Sequence, residues 1–169
     1  MRILEIREKS VPVRSEIRNA VIDFSEMTAS AVAVISDVEC DGERLVGYGF
    51  NSNGRYAQSG ILQSRMLPRI AGADPTALLN DEKSNFDPFK IWQIMMHNEK
   101  PGGHGDRASA VGAVDMALWD LVAKIEEKPL YQLLAELFGS KTPEKSVEVY
   151  AAGGYYYPGK DLTRLKEEI

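Results

Sequence analysis

Cysteine is almost missing from this chain. Cys40 stands alone among 169 residues, which excludes an internal disulfide and suits a reducing compartment. Histidine is nearly as scarce: His97 and His104 are the only two, and no further ligands stand at metal spacing around them, so they do not make a zinc site. No apolar run is long enough to span a bilayer. The opening Met1-Arg2-Ile3-Leu4-Glu5 places charge where a signal peptide needs apolar residues. Basic charge is not in excess either. The net charge is -5 and the pI is near 5.1, which argues against nucleic acid or an anionic membrane as partner. These absences together predict a soluble cytoplasmic protein. The length suits one globular domain, with room for an appendage.

The residues that are present are organised around the stretch from Asn98 to Leu134. Pro101, Gly102, Gly103 and Gly105 forbid regular structure at its start. Neither Lys-Ser nor Lys-Thr succeeds these glycines at the required place, so the loop is not a P-loop. Asp106 can cap the helix that begins there. Val111, Val114, Leu118, Leu121, Val122 and Ile125 recur at helical spacing and form one apolar face. Ala108, Gly112, Ala113 and Ala117 are small enough to let another element pack close. Lys128-Pro129 breaks the helix, Leu130 opens a second one, and Gly139 is its stop. Lys100, His104 and Arg107 thus sit at the mouth of a rigid helix, which suits an anionic ligand.

Ahead of this stretch the pattern predicts strands at Ile3–Val13, Ala29–Val38 and Leu45–Phe50, the last two joined through the Asp41-Gly42 turn. Polar loops cover Ser15 to Met27 and Asn51 to Arg55. A periodic segment, Ile61 to Ile70, contains Pro68 as a kink or early end. Asp74-Pro75 and Asp87-Pro88 each pair a capping acid with proline at the first helical position. The fold class predicted is α+β, a three-stranded antiparallel meander followed by a helical bundle. The last piece reads differently. Val147 to Ala152 reads as a short strand, residues 153–159 as a glycine-tyrosine loop, and Asp161 as the cap of a further helix. That order looks like the first unit of a β/α array cut short, with one domain over residues 1–142 and a second beginning at 143–169.

The helix Val111-Gly112-Ala113-Val114-Asp115-Met116-Ala117-Leu118-Trp119-Asp120-Leu121, with Lys128-Pro129-Leu130-Tyr131-Gln132-Leu133-Leu134 downstream, resembles the N-terminal capping domain of the enolase superfamily, mandelate racemase group. A narrower likeness, to the D-tartrate dehydratases of that group, rests on four loop segments. They are Ile17-Arg18-Asn19-Ala20, Gly47 to Tyr56, Asn98 to Gly105, and Tyr150 to Lys160. The resemblance implies a Mg²⁺-dependent lyase that abstracts the proton beside a carboxylate and eliminates a β-hydroxyl, turning tartrate into oxaloacetate. It also implies a homo-oligomer at full length. The family's lysine base motif, acidic metal ligands and His-Asp pair are expected beyond Ile169, so the chain by itself is expected to be inactive. A racemase, another acid-sugar dehydratase, or a non-catalytic interaction module are the other readings.

By the same resemblance, Asn19 and Asn53 sit on loops that close over the barrel mouth and bond a polyhydroxy acid. Read on their own, both are turn residues, and Asn51 is kept as one. Lys100 is the electrostatic candidate for the distal carboxylate of the substrate. His104 either contacts substrate or orders the loop. Tyr155 and Tyr156 come after the first barrel strand; one faces the site and the other packs, with Tyr155 preferred for the site. Arg55 and Arg107 are candidate anion contacts, and Arg107 is expected to pair with a local acid. Asp115 and Asp120 stand five apart and face different directions, so capping or ion pairing is expected of them. Trp92, Trp119 and the neighbouring methionines are assigned to the core.

Overall fold

The computed structural model describes residues 1–51, 56–102, 105–139 and 146–168. Three antiparallel strands come first: β1 (Ile3–Pro12), β2 (Thr28–Cys40) and β3 (Glu43–Phe50). Their spatial order is β1-β2-β3, and β2 pairs Ala33 with Arg7 on one side and with Tyr48 on the other. The β2–β3 turn takes positive φ at both Asp41 (52°) and Gly42 (81°). That twist matches the strands it joins, and it is why this residue pair marks a hairpin.

Among the described residues the helices follow the sequence expectation in order and differ in detail. The Ile61–Ile70 segment is one continuous helical rod, α1 (Ser59–Ile61), a π turn (Leu62–Met66) and α2 (Leu67–Ala71). Pro68 does not end it, since α2 runs on to Ala71. It sits in the first turn of α2, behind the wide π turn, where its ring and missing amide do least harm. A short 3₁₀ turn (Pro75–Leu78) and α3 (Pro88–Met95) both start as expected, with Asp74 accepting from the Thr76 amide at 2.8 Å and Asp87 from the Phe89 amide at 2.9 Å. Next come α4 (Asp106–Ile125) and α5 (Leu130–Phe138), the latter stopped by Gly139 at φ 121°. Asp106 is not the cap of α4. Gly105 takes that position, and the Asp106 carboxylate instead accepts from Gln58 Nε2 at 3.3 Å.

The core lies between the sheet and α4. Val32 and Val34 of β2 meet Val114, Leu118 and Leu121 of α4, with Leu62, Met66, Phe86, Ile91 and Met95 closing the other side. Each such buried side chain contributes about 1.5–3 kcal/mol. The contact between β3 and α4 is unusually close. A Cβ built on Gly47 would stand 2.0 Å from the Ala117 carbonyl oxygen, and one on Gly49 2.2 Å from that of Ala113. The two strand glycines therefore lie directly against the backbone of the helix. Gly112 plays no part in this: a Cβ there meets nothing within 4 Å. Asn51 is more than a turn residue. It is buried, its Oδ1 accepts the Ser30 amide and its Nδ2 donates to the Tyr56 carbonyl. Trp92 is 45% exposed rather than core, since α3 turns Ile91 and Met95 inward and leaves Trp92 on the outer side.

The strand expected over Val147 to Ala152 is not formed. Val147, Val149 and Tyr150 are exposed and the segment pairs with no strand among the described residues. A strand needs a hydrogen-bonding neighbour, and only an isolated bridge, between Arg18 and Tyr156, is made nearby. Asp161 does cap the last helix, α6 (Leu162–Glu168), accepting from the Arg164 amide at 2.9 Å. No helix among the described residues is long and apolar enough to cross a membrane.

Gly47→Ala or Gly49→Ala is expected to destabilise the protein by about 2–3 kcal/mol, because backbone and not a flexible side chain must move. Gly112→Ala is expected to stabilise it by about 0.5–1 kcal/mol. Urea unfolding followed by circular dichroism separates the two; equal effects would remove the close-packing account of β3 and α4.

Candidate functional site

Two loops named in the sequence are brought together. The loop before β2 folds on itself through Asn19, whose Oδ1 accepts the amides of Val21 (2.9 Å) and Ile22 (2.8 Å). This is local turn chemistry, and it leaves the Asn19 amide hydrogens free of any described partner. Arg18 then bonds the terminal loop on both backbone groups: its amide donates to the Tyr156 carbonyl at 2.9 Å, and the Tyr156 amide donates back at 2.7 Å. Tyr155 leans edge-on against Phe24, ring centres 6.1 Å apart, while Tyr156 is the more exposed ring. Both rings are exposed, and of the two it is Tyr155 that makes a ring contact among the described residues. Asp23, in the same loop, is held below the usual carboxylate range by bonds from the Ser25 hydroxyl and amide.

Lys160 organises the terminal loop. Its ammonium donates to the Tyr155 carbonyl at 2.8 Å, pairs with Glu168, and lies 5.0 Å from the centre of the Tyr157 ring. The Tyr157 hydroxyl donates to Glu168 at 2.8 Å, a bond that pushes its pKa above the ordinary value. Lys160 closes one of the four loop segments that carry the resemblance, but its contacts are seen only in the folded loop.

The glycine loop is rooted in a second device. Glu99 comes directly after Asn98, which has left-handed backbone (φ 59°). Its side chain is 6% exposed and faces three guanidinium groups: Arg65 at 3.2 Å, Arg69 at 3.0 Å and Arg107 at 3.1 Å. Arg107 also donates to the Lys100 carbonyl at 2.9 Å, and Arg69 to the Met95 carbonyl. Arg107 therefore has the local acid expected of it. Arg65 and Arg69 escape sequence reasoning. They are four apart, but the π turn between them sets where Arg65 points, and that turn is invisible in the residue pattern. Three arginines against one carboxylate leave an excess of positive charge under the exposed Lys100, whose ammonium bonds no described residue. A cavity of 720 Å³ opens beside this root, lined by Arg69, Lys90, Gln93 and His97 among others. Asn19, Lys100, Tyr155 and Tyr156 do not line it. Asn53, Arg55 and His104 lie outside the described residues. Of the two helix acids, Asp120 is structural, accepting from the Tyr48 amide at 2.8 Å and pairing with Lys124 at 2.7 Å. Asp115 makes no such bond among the described residues. No three His, Cys, Asp or Glu side chains gather as a cation shell among the described residues.

Burial works to raise the Glu99 carboxyl, but the bonds from Arg69 and Arg107 and the charges of Arg65 and Arg69 outweigh it, and the group titrates below its ordinary 4.5. A depressed carboxyl stabilises the fold in full above its unfolded pKa and loses that effect as pH falls through the folded one. Glu99→Gln is therefore expected to melt lower than wild type at pH 7 and to show a flatter Tm between roughly pH 5 and pH 3. Parallel Tm curves for the two proteins in calorimetry would sink this.

Residues 6–135 match the family model of the mandelate racemase / muconate lactonizing enzyme N-terminal domain. Arabinonate dehydratase of Saccharolobus solfataricus is 42% identical over 67 residues, covering 40% of this chain and 16% of that protein. A D-galactonate dehydratase family member of Halomonas elongata is 34% identical over 118 residues, covering 69% of this chain and 25% of the relative. The chain thus spans a quarter or less of the length of these two relatives. A crystal structure of a mandelate racemase/muconate lactonizing enzyme-like protein from Rubrobacter xylanophilus matches with a TM-score of 0.58 at 25% identity, over 99% of this chain and 40% of that one. The meander, the long helix packed on it and the breadth of the match place the chain in the mandelate racemase / muconate lactonizing enzyme family of the enolase superfamily, as its N-terminal capping domain.

Proposed function

We propose that this polypeptide is the lid of a Mg²⁺-dependent acid-sugar dehydratase, and that its substrate is D-tartrate. In this reading residues 1–142 form the cap and residues 143–169 begin a β/α barrel. The reaction removes the proton beside one carboxylate, expels the β-hydroxyl, and lets the resulting enol become a ketone, so that tartrate yields oxaloacetate and water. The metal supplies the positive charge that offsets the negative charge developing on the carboxylate; its ligands and the base are expected beyond Ile169. The residues of this chain bind and orient. The Asn19 amide group donates to a substrate hydroxyl, the Lys100 ammonium meets the distal carboxylate, and Tyr156, the more exposed ring, borders the same space with Tyr155 behind it. Asn53 and His104 complete the set.

The observation that carries this reading is the ammonium of Lys100, which bonds no described residue, beside a root rich in guanidinium groups, in a family whose relatives include acid-sugar dehydratases. A second anionic end on the substrate is favoured by such a charge excess. A longer acid sugar is the competing substrate, favoured by the arabinonate and galactonate relatives.

The test is kinetic, in full-length protein. Lys100→Ala is expected to lower kcat/KM for D-tartrate about 100-fold while changing it less than about 3-fold for a monocarboxylic acid sugar such as D-galactonate. Equal losses on both would remove Lys100 from its role, and turnover of D-galactonate alone would replace the substrate. The 169-residue chain with Mg²⁺ and D-tartrate is expected to release no oxaloacetate in a coupled assay.

A further inference from the structure

Three buried polar side chains, Ser30, Asn51 and Gln58, meet at one place beside the start of β2. Burying such groups is costly unless they are bonded, and each of them is. Asn51 Oδ1 accepts the Ser30 amide at 2.5 Å, and its Nδ2 donates to the Tyr56 carbonyl at 2.5 Å. The Ser30 hydroxyl accepts the Gln58 amide at 2.8 Å, and the Thr28 hydroxyl accepts the Ala57 amide at 3.0 Å. Gln58 Nε2 donates to the same Tyr56 carbonyl at 3.1 Å. Tyr56 thus holds two amide side chains on one oxygen, and its backbone is left-handed, φ 57°. A residue with a side chain stays in that region only where its surroundings hold it there. Asn51 and Tyr56, the two ends of the segment that carries Asn53 in its sequence, are therefore both fixed to β2.

The same network reaches the first turn of α4, where Gln58 Nε2 also donates to Asp106 Oδ1 at 3.3 Å. The next residue turns to a different loop. Arg107 donates to Glu99 at 3.1 Å and to the Lys100 carbonyl at 2.9 Å. Successive helix residues point about 100° apart, so two neighbours in one turn can hold two loops. The turn itself has little freedom, because α4 lies against β3 at Gly47 and Gly49. The bond from Gln58 to Asp106 is not required by burial: Asp106 is exposed, and water would serve its carboxylate as well.

We infer that Asp106 and Gln58 are positioning residues for substrate recognition, an assignment that rests on Asn53 and Lys100 being substrate contacts. Through them the first turn of α4 fixes the root of the segment after β3 relative to the root of the Lys100 loop. Two groups that must meet one small molecule at once gain from such a tie, since neither has to be ordered separately when the ligand arrives.

The test uses full-length protein and D-tartrate. Asp106→Ala is expected to raise KM about tenfold and to leave kcat within about twofold. Asp106→Asn is expected to stay within about twofold of wild type in both, because its side-chain carbonyl still accepts from Gln58. Both variants remove the same charge from the first turn, so the difference between them isolates the bond. In a Lys100→Ala background the effect of Asp106→Ala on KM is expected to shrink below about threefold, since the group being placed is gone. Asparagine as poor as alanine at position 106, an unchanged KM for Asp106→Ala, or full additivity with Lys100→Ala would overturn the coupling while leaving Lys100 its role. No turnover of D-tartrate, or a Lys100→Ala protein that handles it as wild type does, would overturn the substrate reading and the coupling with it.

Discussion

The close approach of β3 to α4 is the constraint on which the rest depends. Two glycines remove side chains from one face of the strand, and two alanines of the helix lie where those side chains would have been. The helix can then lie directly on the backbone of the sheet. Because α4 is 20 residues long, fixing its axis fixes the positions of both its ends. Its first turn sets where the glycine loop begins, and its flank sets where Asp115, Trp119 and Asp120 point. The Tyr48 amide and Val46 carbonyl of β3 are bonded by Asp120 and Lys124 of the helix, so polar groups exposed by the tight fit are satisfied by the same element that creates it.

Charge does a second, separate job. Glu99 is nearly buried, and a buried carboxylate is tolerated only with partners. Its three arginines come from the π turn, from α2 and from α4. One side chain thus ties the loop to three helical elements at once. The lysine next to it gains a fixed backbone while its side chain stays exposed.

Much of this architecture is legible in the residues and some is not, for physical reasons. The hairpin turn, the proline-led helices capped by Asp74 and Asp87, and the apolar face of α4 obey local rules, so sequence spacing suffices for them. The role of Ala113 and Ala117 is visible as smallness, and Gly47 and Gly49 explain it. Gly112 looks identical in sequence and faces open space instead, because the choice between packed and open sides of a helix is made by its neighbours. Pro68 inside an unbroken rod depends on a π turn that no period reveals. The segment from Val147 has the composition of a strand, yet pairing is a property of two strands and none stands beside it among the described residues. Of the site residues, Tyr156 meets the loop of Asn19 through backbone bonds that carry no side-chain signature at all, whereas Arg107 and its acid are readable from proximity along the chain.

The reciprocal bonds between Arg18 and Tyr156 join positions 138 residues apart (156 − 18). Loops so distant in order yet locked amide to carbonyl cannot drift independently. An insertion or deletion in one shifts the register of the other, so diversification of this surface has to proceed in paired steps.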